Sequence, residues 1–76
     1  MNTFISKIPV ALKVWFTADK MNLLLEDGRE ISIPLEWFPV LLKANEAQRN
    51  NWRLIGGGEG IHWNELDEDI LVDALL

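Results

Sequence analysis

Cysteine is absent from this chain, and histidine occurs once, at His62. Without cysteine, neither a disulfide framework nor a thiolate zinc site can form. With one histidine and no thiol, a cysteine–histidine triad and a histidine-based zinc centre both lack components. Long apolar runs are missing as well: no uncharged stretch approaches the length that spans a bilayer. Lys7 and Lys13 interrupt the apolar N-terminal stretch, and no small-x-small cleavage pattern follows, so the N-terminus does not read as a signal peptide. The expectation is a cytoplasmic protein with no membrane segment. Positive charge is scarce, with 7 Lys and Arg against 12 Asp and Glu, a net charge of −5. That balance argues against non-specific nucleic-acid binding and mildly favours a basic partner. There is no internal repeat and no low-complexity linker, and 76 residues leave no room for a second core. The chain therefore reads as one small domain, 1–76. At this size burial barely exceeds the cost of ordering the chain, so a partner or homo-oligomerisation would add stability.

Apolar alternation is what the sequence does have. Met1 to Thr3 are expected to fray. From Val10, the residues Val10, Leu12, Val14 and Phe16 fall on one face of a strand, with Ala11, Lys13, Trp15 and Thr17 on the other. Ala18-Asp19 makes a turn, and Met21, Leu23 and Leu25 resume the period. The turn at Asp27-Gly28 can be sized by register. A two-residue loop would pair Glu26 with Arg29 and turn the next apolar set to the wrong face. A three-residue loop, Glu26-Asp27-Gly28, pairs Leu23 with Ile31 and keeps the odd-numbered apolar residues together. Gly28 is then the left-handed residue of a bulge turn, and the result is a three-stranded antiparallel meander. Pro34 ends it. Leu35, Phe38, Leu41 and Leu42 have helical spacing, which Pro39 divides into two short pieces. Asn45 to Gln48 has the form of a capping box. A β-hairpin follows at about 52–63, around Gly56-Gly57-Gly58-Glu59-Gly60. Asp67 is expected to cap a final helical turn, with Ile70, Leu71, Ala74 and Leu75 as its buried stripe. The fold class is α+β.

No motif carries catalysis. The glycine run resembles a phosphate loop in composition only, because a strand follows where a helix N-terminus is required and Glu59 would repel the anion. A hairpin turn fits, as does close approach of another backbone. Glu65, Asp67 and Asp69 alternate like the start of a calcium loop, but Ile70 occupies its glycine position and Leu76 its bidentate glutamate position. Carboxylates favouring a helix N-terminus account for them more simply. Alternation turns His62 away from the face of Ile61 and Trp63, and a surface or hydrogen-bonded structural histidine is expected. No catalytic residue, cofactor or metal is expected. The tryptophans read as core or core-edge residues, with one exception. Trp15, together with Leu24, falls outside the main apolar face and forms a candidate contact patch.

The segments GREISIPLEWFPVLL and NNWRLIGGGEGIHWNELDEDI resemble the bacterial family known as domain of unknown function 2442, from about Val14 to Leu75. Asn64 departs from the pattern at a position where members often have proline. The resemblance implies a small α+β fold and no known enzymatic activity. It also implies a gene lying beside another small gene, in pairs that look like toxin–antitoxin modules, this protein being the antitoxin-like member. It supplies no functional residue. The expected role is a non-enzymatic protein-interaction module whose partner is a small, basic protein, such as an adjacent gene's product. Trp15 and Leu24 would make the contact, with Glu65, Asp67 and Asp69 steering. The alternative is a nucleic-acid-binding regulator, in which 39–51 imitate a helix-turn-helix with only Lys43, Arg49 and Arg53 for charge.

Overall fold

Alternation in the first half of the chain produces three antiparallel strands in the computed structural model, which describes residues 9–76. They are β1 (Ala11–Phe16), β2 (Lys20–Leu25) and β3 (Glu30–Pro34), in the order β1-β2-β3. The expectations for Met1 to Thr3 and Lys7 lie outside the described residues. Leu23 pairs with Ile31 and Met21 with Ile33, the register of the three-residue loop. The Leu25 N–H donates to the Arg29 carbonyl at 2.8 Å, the Gly28 N–H donates to the Leu25 carbonyl at 3.0 Å, and Gly28 has φ +94°.

One part of the alternation fails. Ala11 pairs with Leu25 but Lys13 pairs with Leu24, so the ladder bulges at Leu12. An extra residue in one strand reverses the faces before it. Ala11 is therefore buried, while Leu12, placed on the core face by simple alternation, is exposed. The bulge also bends an edge strand, one of the devices that discourages further pairing.

Between the sheets the chain forms three short turns of helix: a 3-10 turn at Leu35–Trp37, α1 (Pro39–Lys43) and α2 (Glu46–Asn50). Pro39 occupies the first turn of α1, where its missing N–H costs nothing. The capping box is complete: Gln48 N–H donates to Asn45 Oδ1 at 2.8 Å, and Asn45 N–H donates to Gln48 Oε1 at 3.0 Å. Arg49 donates through Nε to the Leu41 carbonyl (2.8 Å) and through Nη2 to the Leu42 carbonyl (2.9 Å). The Arg49 carbonyl in turn accepts from Trp63 Nε1 at 2.9 Å. This chain of bonds joins α1, α2 and the second sheet.

The second sheet corrects the expected C-terminus. It holds three strands, β4 (Trp52–Ile55), β5 (Gly60–Trp63) and β6 (Glu68–Leu71), followed by a 3-10 turn at Val72–Leu75. Asp67 does not cap a helix. It is the left-handed residue (φ +50°) of the turn between β5 and β6, closed by Asp67 N–H donating to the Asn64 carbonyl at 3.3 Å. Of the expected stripe only Ile70 is buried, and Leu71 and Ala74 are exposed. The period-2 set Ile70 and Val72 points inward instead; in so short a segment the two periods overlap. The helical ending survives as the four-residue 3-10 turn.

Gly58 is where the sheets meet. A Cβ there would lie 2.5 Å from the Ala11 carbonyl oxygen and 2.9 Å from Val10 Cβ, at φ +103°. The glycine run is thus both a turn and a close backbone approach. A single apolar cluster draws on both sheets, with Ala11, Val14, Met21, Leu23, Leu25 and Ile33 from the first and Ile61, Trp63 and Ile70 from the second. Leu35, Leu41 and Val72 complete it from the helical turns.

Candidate functional site

The expected site residues stand on different sheets. Trp15 pairs with Asn22, and Leu24 with Lys13, so Trp15 and Leu24 share the outer face of the first sheet as diagonal neighbours. Both are half-buried. The Lys13 ammonium lies 5.7 Å from the Trp15 ring centroid, within cation–π range. Beside Trp15, Asn22 is buried and fully engaged: its amide donates to the Trp15 carbonyl and Thr17 Oγ1, both at 3.4 Å, and its carbonyl accepts from Ser32 Oγ at 2.6 Å. On this face a tied polar row runs beside the Trp15 ring.

Glu65 and Asp67 lie in the β5–β6 turn, and Asp69 lies on β6. Asp69 is the cross-strand partner of His62, and its carboxylate accepts a hydrogen bond from His62 Nδ1. His62 points away from buried Ile61 and Trp63, and Arg53 sits opposite it on β4. Among the described residues, no three His, Cys, Asp or Glu side chains form a metal-ligating group. None of the described helices is long and apolar enough to cross a membrane.

An open apolar surface lies elsewhere. A cleft of about 510 Å³ runs between Trp37 and Phe38 on one side and β6 with the final turn on the other. Trp37 is 62% exposed and Leu71 61% exposed, and Ala74 and Leu75 continue the apolar lining. Glu68 and Asp69 add carboxylates to it. Sequence reading placed Trp37 with the core tryptophans; the structure corrects this. The signal was present in Pro34 and Pro39. Two prolines five residues apart confine the segment to one 3-10 turn, which buries Leu35 and leaves Trp37 outside.

The chain belongs to the family described as protein of unknown function (DUF2442), whose model matches residues 11–76. Its fold is also that of a crystal structure of a protein of unknown function from Rhodospirillum rubrum ATCC 11170. The two superpose with a TM-score of 0.79 at 27% identity, covering 91% of this chain and 86% of that one. No curated protein matches the chain significantly.

Proposed function

We propose that this chain is a non-enzymatic, cytoplasmic protein-interaction module that binds a small basic protein, as the antitoxin-like member of a gene pair. The observation that carries the reading is the cleft: a largely exposed tryptophan faces an exposed leucine across apolar lining, with two carboxylates alongside. Exposed aromatics in a concave apolar setting are the usual anchors of protein interfaces. The acidic charge would steer a basic partner and accelerate its association.

Two further observations weigh against the nucleic-acid alternative. The Arg49 guanidinium is committed to the carbonyls of Leu41 and Leu42. The helices α1 and α2 have five residues each, short of a recognition helix that lies along a major groove. No binding to duplex DNA at physiological salt is expected. Micromolar binding that weakens steeply with salt would move the regulator reading ahead.

The test is calorimetric binding of the adjacent gene's product to the wild type, Trp37→Ala and Trp15→Ala, each checked by thermal melt. Trp37→Ala should keep its fold and lose about 2 kcal/mol of binding or more, as a truncated aromatic anchor does. The second surface, Trp15 with Leu24, rests on the register that sets both half-buried side chains on the outer face of the first sheet. Normal binding by Trp37→Ala together with lost binding by folded Trp15→Ala would assign the contact to that face. No binding by the wild type would end the interaction reading for that partner.

A further inference from the structure

The open edge of β6 carries the inference furthest. In the sheet order β4-β5-β6, one side of β6 has no neighbouring strand among the described residues. The Val72 N–H donates to the Glu59 carbonyl at 2.9 Å. Antiparallel ladders alternate between residues bonded to the neighbour and residues whose backbone points away. Continuing from Val72, Ile70 and Glu68 face β5, while Asp69 and Leu71 present N–H and C=O groups to the open side. The cleft is lined by all four residues of β6, Glu68 through Leu71, whose side chains alternate between faces. The cleft therefore borders the whole length of β6, Asp69 and Leu71 included.

Proteins normally blunt such an edge with lysine, proline or a bulge. The first sheet has both of the last two, a bulge at Leu12 in β1 and Pro34 at the end of β3. The only such device on β6 is acidic charge. Glu65, Asp67, Glu68, Asp69 and Asp73 crowd this end of the chain, and no lysine or arginine follows Arg53. Two copies pairing edge to edge would set these carboxylates against one another, which is unfavourable.

We infer that the β6 edge binds an extended, basic segment of a partner protein as an added strand. The partner's backbone pairs with Asp69 and Leu71, one of its apolar side chains lies against Trp37, and its cations lie near Glu68 and Asp69. In strand addition the backbone bonds supply affinity and the alternate side chains supply choice of partner. This rests on the interaction role proposed above.

The probe is an end-capped peptide, Lys-Val-Lys-Val-Lys-Val, titrated into the full chain and followed by amide-resolved NMR and hydrogen exchange. Binding should slow exchange of the Asp69 and Leu71 amides at least about tenfold and shift the Trp37 indole signal. The glutamate–valine counterpart should bind at least about tenfold more weakly. Methylating alternate amide nitrogens of the peptide should abolish binding for one set and spare it for the other. Binding that moves Trp37 but leaves both amides exchanging freely would overturn strand addition while leaving a cleft-binding partner standing. Equal sensitivity to both methylation sets, equal binding of the acidic peptide, or no peptide binding would also overturn it. Protection that grows with protein concentration alone would reassign the edge to a second copy. Failure of the adjacent gene's product to bind the wild type is the separate result that removes the underlying role.

Discussion

The first sheet is built from strands of five and six residues, whereas every strand of the second has four. Their turns differ in the same sense. Gly28 turns in open space, with nothing within 4 Å of where a Cβ would stand. Gly58 turns against the backbone of β1. A sheet of four-residue strands lacks the ladder length to stand alone, since isolated short hairpins are marginal in water. The second sheet is instead held from outside itself, by Gly58 against Ala11 and by Trp63 against the Arg49 carbonyl. Local pairing organises the first sheet; tertiary contact organises the second.

The largest expected effect follows from that dependence. Trp63 is fully buried, belongs to the shared core and donates a hydrogen bond from β5 to the helical segment. Trp63→Ala should cost about 3–5 kcal/mol, as large-to-small changes at buried aromatics do, and should leave the Arg49 carbonyl without its indole partner. A small domain has little more stability than that to lose. Denaturant unfolding checks the value. A loss below about 1 kcal/mol would mean that the second sheet does not depend on this anchor.

A matched pair of substitutions sharpens the contrast between the turns. Gly28→Ala should cost on the order of 1 kcal/mol, because alanine tolerates a left-handed backbone poorly but meets nothing. Gly58→Ala carries the same conformational cost and adds a contact of 2.5 Å with a backbone oxygen that cannot swing aside. It should cost roughly 2–4 kcal/mol, since sheet and turn must separate to admit the methyl group. Thermal melts of the two variants side by side decide the matter. Equal losses would show that β1 yields to the new atom and that the sheets are not locked at Gly58.

The same contrast explains what was legible in the sequence. The first meander could be read, down to the length of the loop at Gly28, because a one-residue error in register would have turned Ile31 and Ile33 outward. The capping box at Asn45 and Gln48 was equally local, and so was the placement of Trp15 and Leu24 on one outer face. Legibility stopped where a distant contact decides. The bulge that buries Ala11 in place of Leu12 lies beside the approach of Gly58, 47 positions further along the sequence. Strand β6 was read as helix because Ile70, Leu71, Ala74 and Leu75 fit a helical stripe. Pairing with β5, which settles the question, is a tertiary fact. Of the carboxylates singled out in the sequence, Glu65, Asp67 and Asp69, only Asp69 lines the cleft, where Glu68 joins it. The cleft itself could not be read, because it needs Trp37 and β6 brought together.

The smallest expected effect belongs to the first sheet's own turn and tests how local that sheet is. Asp27 Oδ1 accepts the Arg29 backbone N–H at 3.1 Å, and its other oxygen accepts Arg29 Nε at 2.8 Å. That backbone bond first, and the guanidinium with it, holds the Asp27 carboxyl below its ordinary value of 3.8, although burial opposes the shift. A lowered carboxyl pKa in the folded state means that the unfolded chain binds the proton more readily. The contribution to stability is therefore present above pH 3.8 and is lost as the pH falls through the lowered folded value. Both side chains are well exposed, so solvent and salt screen the pair and the effect should be slight. Asp27→Asn should melt almost like the wild type near neutral pH, and the small difference between them should disappear in acid and shrink with added salt. A large loss at neutral pH would show that the Asp27–Arg29 contact holds the turn in place of Gly28 and the register, and the first sheet would then be less self-sufficient than its ladder suggests.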